Sequence, residues 1–430
     1  MKEKVFRITE NQLKEIDQKL LQADDSNLYV PIYCGSAYSN IFVGCERIVF
    51  TVHKILDLCN GEGFVTQYTQ ETYNCIFARS YESLNALKKI GIKTKLWASF
   101  SDNKLQIYQE NFEPVSVSCI VGANIDFLFN NIEPMLENES DFYQRTKQAF
   151  GGGTTNYLSN LTVGVVGTSG TGSIVVEQLV RLGVKRVVLV DDDVVEERNL
   201  GRILNSSKKD ADECIFKTDM LKTAYESMGF NTEIVSVPTV VGNIGTIHIL
   251  STCDILFGCL DSADGRYHLN RISTFYNIPY IDMGVKLVSD NGKIEEISGA
   301  IRYIIPGCSS LLSRGAITSE RLRSDSLRRE NPEEYQKRLD EKYIEGASES
   351  SPAVISINMQ IASLAVLEFL SRIHPYREIE NDTVETVYVD LVNYVMRVEE
   401  PSAPDNSLIK YVGKGDYSPM LALPTLGGSK

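Results

Sequence analysis

The stretch Leu161-Thr162-Val163-Gly164-Val165-Val166-Gly167-Thr168-Ser169-Gly170-Thr171-Gly172-Ser173 decides the fold class of this chain. Its first six residues form an apolar run typical of a buried strand, and the glycines open a segment, Ile174 to Leu182, with the pattern of a helix. A second apolar run, Arg186 to Val190, then delivers three consecutive aspartates. Glycines in such a turn let backbone N–H groups approach phosphates, and the helix N-terminus adds partial positive charge. The stretch predicts a nucleotide site.

Length, charge and hydropathy narrow the function classes. At 430 residues the chain is long enough to bury two or three cores. Its formal net charge of −14 opposes nucleic acid or an anionic membrane as the main partner, because the overall field repels both. The N-terminus lacks the apolar core of a signal peptide, and no apolar run approaches the ~18 residues of a membrane span. We expect a cytoplasmic protein without nucleic-acid or membrane partners.

The nine cysteines are scattered, and no C-x-x-C pair occurs among them. In a reducing compartment an odd, unpatterned set of this kind is typical of free thiols. It lacks the paired spacing of a structural zinc site, so we expect no zinc.

Residues 1–137 are predicted to form a smaller α+β domain of their own. Apolar residues from Tyr73 to Ile90 recur at helical spacing, and Gly91 stands where a helix C-cap is expected. The segment holds a single histidine, His53, for which a structural role is the simpler interpretation. No catalytic constellation is recognisable there, which favours a recognition or dimerisation domain.

Residues 138–400 are predicted to form the main α/β domain. A polar helical connector, Asn138 to Phe150, is expected to end at three glycines, and from Leu161 apolar strands alternate with helices. This order predicts a Rossmann-like, mostly parallel sheet with helices on both faces, extended by antiparallel strands from Val285 to Ile305. A charged crossover segment (315–350) follows, which is interpreted as a solvated helix or loop, or as a lid. After it we predict an apolar helix (Ala353 to Leu370), one or two strands (Thr386 to Val398) and an extended tail (401–430).

The glycine loop alone does not identify the chemistry. The dinucleotide fingerprint G-x-G-x-x-G requires glycine at position 169, where this chain has Ser169 and an additional glycine at 170. A nicotinamide-dependent oxidoreductase therefore stays open as one alternative.

Residues after the second strand favour ATP chemistry. Asp191, at a strand end, is placed to bind a ribose hydroxyl, and it is followed by Arg202 and Lys217. Cations after a phosphate-binding loop suit a triphosphate whose charge must be offset during attack at its α-phosphorus. Downstream, the strand Ile255 to Leu260 leads to Asp261 at the carboxyl edge of the sheet, where it is the best candidate for holding Mg²⁺.

From about Tyr143 to Val398 these motifs resemble the adenylyltransferase superfamily of ubiquitin-activating enzymes and their bacterial relatives in thiamine, molybdopterin and microcin biosynthesis, the ThiF/MoeB/HesA group. The resemblance implies ATP and Mg²⁺ as cofactors. It also implies a homodimer, in which an arginine ahead of the first strand, here Arg145, acts in the partner's active site. The matching residues of the motif are Gly167, Gly170, Gly172, Asp191, Asn199, Arg202, Lys217 and Asp261. A solvated role stays open for Arg145 and Lys217.

The chain departs from this family at two places. The segment in which many relatives carry a zinc-binding cysteine pair contains only Cys308, and no cysteine follows it. The region from Tyr343 to Pro352, where thioester-forming relatives keep a catalytic cysteine, contains none. Cys308 is therefore either a nucleophile, which would require a depressed pKa, or a packing residue left from a zinc site.

The N-terminal domain has a weaker resemblance to MPN/JAB metalloprotease domains, which some bacterial relatives carry fused to this adenylation domain. The two metal-binding histidines would fall near Trp97 to Ser101, where there are none. Such a domain would be catalytically degenerate.

The favoured hypothesis is an ATP-dependent adenylyltransferase that activates the C-terminal carboxylate of a ubiquitin-like protein or small peptide, for transfer to an acceptor such as an E2-like protein. A microcin-type peptide-modifying enzyme is the alternative within the class. A catalytically inactive interaction protein that keeps the nucleotide fold is the alternative outside it.

Overall fold

A computed structural model describes residues 2–21, 28–42, 45–60, 73–101, 104–130, 141–340 and 354–416. Five predictions lie partly outside these ranges: parts of the N-terminal domain (1–137), the start of the connector (138–140), the end of the crossover segment (341–350), the start of the apolar helix (Ala353) and the tail beyond residue 416. The cysteine-free region from Tyr343 to Pro352 lies outside the described residues altogether.

The N-terminal part contains nine strands and two helices in the described ranges. In chain order they are β1 (Lys2–Thr9), α1 (Glu10–Leu21), β2 (Leu28–Phe42), β3 (Cys45–Ile55), β4 (Cys59–Asn60), β5 (Tyr73–Ala78), α2 (Tyr81–Lys89), β6 (Leu96–Ser101), β7 (Lys104–Gln109), β8 (Val117–Val121) and β9 (Ile125–Phe129).

These strands form one mixed sheet in the order β7-β6-β5-β2-β3-β1-β8-β9, with β4 paired to β2. Alternate side chains of its central strands enter two different cores, as the twofold repeat of a strand requires. On β1, Val5 packs toward the following α/β part, whereas Phe6 and Ile8 face the other side, where α1 packs. Both faces of the sheet are therefore covered.

The helix predicted from Tyr73 to Ile90 is wrong in its first half. Residues Tyr73–Ala78 form strand β5, which pairs with β2 and β6 in the middle of the sheet. Because both faces of such a strand are buried, its residues Cys75 to Ala78 form a continuous apolar run that periodicity does not distinguish from a buried helix. The helix begins only at Tyr81, with Ser80 as its N-cap, and Gly91 follows its end with a positive φ of 93°.

The second part of the chain alternates strands and helices. In chain order the elements are α3 (Gln144–Leu158), β10 (Thr162–Val166), α4 (Gly170–Arg181), β11 (Arg186–Val190), α5 (Lys208–Asp212), α6 (Lys217–Ser227), β12 (Glu233–Val237), α7 (Ile244–Ser251), β13 (Ile255–Gly258), α8 (Ala263–Tyr276), β14 (Tyr280–Asp290), β15 (Lys293–Ile304), α9 (Ser319–Glu330), α10 (Pro332–Asp340), α11 (Ile355–Ile373), β16 (Thr386–Asp390) and β17 (Val395–Glu399), with short 3-10 helices at Asp141–Tyr143, Glu197–Asn199, Asn381–Thr383 and Ile409–Tyr411.

The second sheet has the order β12-β11-β10-β13-β14-β15-β16-β17. The first five strands are parallel, and the last three are added antiparallel, which confirms the predicted Rossmann-like fold with appended strands. The chain order reverses between β10 and β13, and in open α/β sheets the crevice at such a point is where ligands bind. The residues after β10 and β13 are the glycine loop and Asp261.

The connector differs from its prediction at the three glycines. Helix α3 continues through them to Leu158 and is kinked at Gly151, where φ is 78° and ψ is 167°. A glycine without a Cβ adopts this conformation at little steric cost, so the chain bends there and then resumes the helix.

Two buried arginines fasten the N-terminal sheet to the α/β part. The Arg47 guanidinium contacts both carboxylate oxygens of Asp254 through Nη2, at 2.9 and 3.0 Å, and Arg7 donates to the carbonyls of Ser251, Cys253 and Tyr276. Val5, Val49 and Val117 of the first sheet also belong to the main core of the second part. The two sheets therefore form one packed unit.

The C-terminal segment lies across this junction. The N–H groups of Gly413 and Gly415 donate to the carbonyls of Thr274 and Phe275 on α8, and Asp416 donates its N–H to Ser36 of β2. His53 contributes to the same junction, because its Nδ1 lies 3.1 Å from the carbonyl oxygen of Val412. Among the described residues, every helix is too short or too polar to cross a bilayer.

Candidate nucleotide and substrate site

The glycine loop between β10 and α4 is packed too closely for side chains. A Cβ on Gly167, whose φ is 86°, would lie 2.7 Å from the carbonyl oxygen of Cys259, and one on Gly172 would lie 1.8 Å from the Gly167 carbonyl oxygen. A Cβ on Gly170 would lie 2.3 Å from the side-chain nitrogen of Asn358 on α11. Each glycine of the motif is therefore required by a close approach, as expected of a loop whose backbone is offered to a ligand.

Ser169 does not need the positive φ that favours glycine. Its φ is −83°, and its carbonyl accepts the N–H of Ser173 at 2.9 Å as helix α4 begins at Gly170. The position needs neither a positive φ nor the absence of a side chain. This explains why serine replaces the second glycine of the dinucleotide fingerprint here.

Asp191 is held in place at the carboxyl end of β11. Its Oδ2 accepts from the Thr168 backbone N–H at 2.6 Å and from the Thr168 hydroxyl at 3.1 Å, while Oδ1 accepts the N–H of Asp193 at 3.0 Å. Burial raises the pKa of Asp191 above its usual value, although Lys217 and these hydrogen bonds act in the opposite direction. Asp191, which is predicted to bind the ribose, is thus hydrogen-bonded directly to the glycine loop.

The predicted cations around the loop differ in their surroundings. Lys217 is buried, and its Nζ lies 2.6 Å from Oδ2 of Asp193, an exposed carboxylate that sequence reasoning had not assigned a role. Arg202 is half-buried and packs its Cδ over Gly170, and its guanidinium makes no hydrogen bond or ion pair among the described residues. Buried Asn199 accepts the N–H of Glu196 through its Oδ1 and so shapes the loop.

Asp261 follows β13 and is exposed, without an ion pair or hydrogen bond in the described part of the chain. It lines a cavity of about 540 Å³ together with residues of α8, β14 and the segment leading into α9. A carboxylate free of protein partners fits a hard divalent cation such as Mg²⁺. The cavity is of the size that small-molecule and peptide sites have.

Sequence reasoning missed one charged side chain of the cavity wall, Arg266, and two carboxylates that bind residues of that wall, Asp282 and Asp325. Arg266, on the first turn of α8, donates to both oxygens of the buried Asp282, and Asp325 of α9 accepts the N–H of Ala263 at 2.7 Å. The available signal was Asp282 itself, because an isolated carboxylate within the apolar run Pro279 to Met283 requires a cationic partner.

Comparison with known families agrees with this geometry. Residues 143–407 match the model of the ThiF family, which is more than half of the chain. The chain belongs to the ThiF family. The match begins within the connector, at residue 143, and includes the glycine loop, Asp191, Asp261 and the cavity wall.

Curated relatives cover shorter stretches of this ThiF-family chain. It is 31% identical over 117 residues to the adenylyltransferase and sulfurtransferase UBA4 of Meyerozyma guilliermondii, covering 27% of this chain and 27% of that protein. It is 31% identical over 162 residues to ubiquitin-like modifier-activating enzyme 5 of Dictyostelium discoideum, covering 36% and 41%. The aligned stretch is less than half the length of either relative. Among solved structures, E. coli MccB with MccA-N7isoASN has a TM-score of 0.48 at 18% identity, covering 63% of this chain and 75% of that chain.

Cys308 lies apart from the glycine loop. Its sulfur is 3.9 Å from the side-chain nitrogen of Asn11 on α1, and it does not line the cavity that contains Asp261. Burial raises the pKa of the Cys308 thiol, and the nearby Arg314 only partly opposes this. The structure therefore favours the packing alternative over the nucleophile.

Hydrogen bonds join the segment around Cys308 to the segment around Asp405. The Ser310 hydroxyl donates to Asp405 at 2.5 Å, and Arg314 lies 3.0 Å from Glu385. The N–H of Asp405 donates to the Cys308 carbonyl at 3.1 Å. Polar groups thus connect these two segments.

Arg145 is exposed on the first turn of α3. It contacts Gln148 of the same helix through a hydrogen bond of 3.2 Å. Its side chain is thus available at the surface, and the structure describes a single chain, so its action in a partner's active site stays a prediction.

Proposed function

We propose that this protein is an ATP-dependent adenylyltransferase that activates a C-terminal carboxylate as an acyl-adenylate. The observation that carries the proposal is the placement of Arg202 and Asp261, two charged groups without protein partners, on either side of a glycine loop too tightly packed for side chains. Charges left unpaired beside a phosphate-binding loop are suited to a charged ligand. The named activities of the two curated relatives support the same conclusion.

Different residues of the site would bind the phosphates, bind the ribose and stabilise the charge of the transition state. Backbone N–H groups of the glycine loop and the start of α4 would bind phosphate oxygens, and Asp191 would accept the ribose hydroxyls. Arg202 and Lys217 would offset the negative charge that builds up as a carboxylate oxygen attacks the α-phosphorus. In that step the bond from the α-phosphorus to the bridging oxygen breaks, and pyrophosphate leaves with the electron pair.

Asp261 would hold Mg²⁺, which fits the site because no protein cation neutralises this carboxylate in the described residues. When bound, the ion would neutralise part of the triphosphate charge. The residues next to Asp261 then determine how the second substrate enters through the cavity.

The names of the relatives and the size of the cavity support one substrate class. We propose a ubiquitin-like protein or a small peptide, presented by its C-terminal carboxylate, with an E2-like protein as an acceptor in the first case. Residues 1–137 would serve recognition or dimerisation, and Arg145 would act across a homodimer. The exposed position of Arg145 supports that role.

Pyrophosphate exchange tests the proposal. With Mg²⁺ and a candidate carrier or peptide, label should return from pyrophosphate to ATP, and Asp261→Ala should reduce that rate at least a thousandfold. Asp261 is exposed and unpaired, so the variant should unfold at the same urea concentration as wild type. Tight NAD binding without ATP binding would favour the oxidoreductase alternative, and ATP binding without exchange would favour an inactive interaction protein.

A further inference from the structure

The strongest unassigned feature is a buried cluster at the back of the cavity, in which one carboxylate serves two guanidiniums. Asp282 accepts from Arg266 Nε at 2.7 Å and Nη2 at 2.5 Å, and from Arg302 Nη1 at 3.2 Å. The Tyr280 hydroxyl donates to the same carboxylate at 3.0 Å. Burial acts to raise the pKa of Asp282, but the guanidiniums and Tyr280 outweigh it and hold the pKa below its usual value. One negative charge therefore faces two positive charges.

Arg266 is the member of this cluster that reaches the cavity. It lines the same wall as Asp261, and its side chain is 13% exposed. Nε and Nη2 are both bonded to Asp282, whereas Nη1 has no hydrogen-bond partner in the described part of the chain. A guanidinium fixed by two parallel bonds keeps its remaining N–H groups in one direction, so little entropy is lost when they bind a ligand.

The other charged groups of the cavity already have partners or a proposed ligand. Lys286 is paired with Glu296 at 2.7 Å, and Arg321 with Asp325 at 3.2 Å. The remaining cavity carboxylates are Asp261, proposed to hold Mg²⁺, and Glu320 at the entrance of α9.

The N-terminus of α8 does not compete for an anion. The N–H of Ala263 already donates to Asp325, at 2.7 Å. The uncompensated positive charge on this wall is thus concentrated at Arg266.

We propose that the free edge of Arg266 binds the carboxylate of the substrate that is to be adenylated, and that Asp282 is the positioning residue that aims it. This rests on the proposed function and assigns the carboxylate subsite within it. Arg266 and Asp261 line the same wall of the cavity. A substrate carboxylate bound to Arg266 would therefore lie along the same wall as Asp261, the proposed Mg²⁺ ligand. Its attraction to the guanidinium offsets the repulsion between two anions, the carboxylate and the triphosphate.

The chain provides a matched control. Glu368, on helix α11, is a second buried carboxylate shared by two arginines. It lies 2.6 Å from Arg372 of the same helix and 2.6 Å from Arg377, which follows that helix. Arg377 does not line the cavity. Arg377→Gln therefore removes the same kind of ion pair as Arg266→Gln, without touching the proposed subsite.

The experiment is pyrophosphate exchange by the full-length protein with two probes, a random heptapeptide library with free C-terminal carboxylates and the same library as C-terminal amides. Wild type should exchange with the free carboxylates only. Arg266→Gln should raise the KM for the library at least tenfold while the KM for ATP stays within twofold, and Arg377→Gln should change neither. An unchanged library KM in folded Arg266→Gln, or an equal rise in both KM values, would overturn the proposal.

A double variant distinguishes direct binding by Arg266 from the electrostatic effect of the whole cluster. It also avoids the misfolding that a buried Asp282 without its Arg266 partner could cause in the single variant. Arg266→Gln with Asp282→Asn removes the unpaired buried carboxylate together with its partner, and Arg302 preserves the net charge of the cluster. The double variant should show the same tenfold rise in library KM. A wild-type KM in the double variant would mean that only the electrostatic field matters and would refute direct binding. Absence of exchange by wild type with free-carboxylate peptides and with ubiquitin-like carriers would instead refute the proposed function itself.

Discussion

The junction between the two sheets and the carboxyl edge of the second sheet both contain charged residues, but the chain pairs them differently. At the junction, Asp254 meets Arg47 at 2.9 Å with both residues buried, and Arg7 is surrounded by backbone carbonyls. At the carboxyl edge, Arg202 and Asp261 have no partner among the described residues. Charges satisfied by the chain hold the structure together, whereas charges left unsatisfied at an accessible edge are available to a ligand.

The largest expected effect lies at the junction. Asp254→Ala removes the buried carboxylate that accepts from Arg47 Nη2, leaving Glu3 as the other carboxylate beside Arg47, and removes the acceptor of the Thr162 N–H, so we expect the free energy of unfolding to fall by about 3–5 kcal/mol. Urea unfolding measures this. The control is Glu226→Ala, which breaks an exposed pair with Lys222 and should cost at most about 1 kcal/mol. Equal losses in the two variants would contradict a structural role for the junction.

Substitution in the glycine loop should lower the affinity for ATP. Gly167→Ala places a Cβ 2.7 Å from a backbone carbonyl oxygen at a positive φ, so we expect ATP affinity to fall about a hundredfold, or ~2.7 kcal/mol. Titration calorimetry with ATP measures it. Gly153→Ala, where nothing lies within 4 Å of the added Cβ, should bind as wild type does. Similar affinities in the two variants would remove the loop from the site.

A third effect is pH-dependent and comes from His268 on α8. Burial, then Arg329 and Arg271, lower its pKa from 6.5 to about 4. Because the unfolded chain binds the proton more readily, stability is kept above pH 6.5 and lost as the pH falls toward 4. Between pH 7 and 5 we expect His268 to account for a loss of about 2 kcal/mol. Urea unfolding of wild type and His268→Asn at both pH values should show a smaller loss in the variant, and equal losses would refute the assignment.

The smallest effect concerns Cys308. Since its thiol lies against Asn11 and has a raised pKa, Cys308→Ser should change the pyrophosphate exchange rate less than twofold. Intact-mass spectra after incubation with ATP and carrier provide a second readout. A covalent adduct present in wild type and absent in the variant would restore Cys308 as a nucleophile.

Much of the second sheet was predictable because its signals are local. The strand, glycine loop and helix around Gly167, and the antiparallel pair β14–β15, follow from apolar runs and turn residues that lie next to each other in sequence. The first sheet was harder, because a strand buried on both faces, such as Tyr73–Ala78, has no periodicity of its own. Its place between β2 and β6 depends on residues far away in the chain.

In the candidate site, too, some residues were predictable from local sequence and others depended on contacts between distant segments. Gly167, Asp191 and Asp261 were recognisable because each follows an apolar strand and fits a spaced motif. Asp193 as the partner of Lys217, and Asn358 against Gly170, were not, since the residues of each pair lie on separate elements. Ser169 was an unexplained departure in the sequence, and only the backbone shows that its φ is negative, at −83°, so that this position does not require glycine for a positive φ.

By itself the sequence determined the fold class, the nucleotide loop and the strand-end carboxylates, because backbone conformation and hydrophobic periodicity are encoded over a few neighbouring residues. Only the tertiary structure decided which charges are paired. Pairing depends on side chains that distant segments bring within 3 or 4 Å of each other, as β14 brings Asp282 to Arg266 on α8 and leaves one edge of that guanidinium facing the cavity.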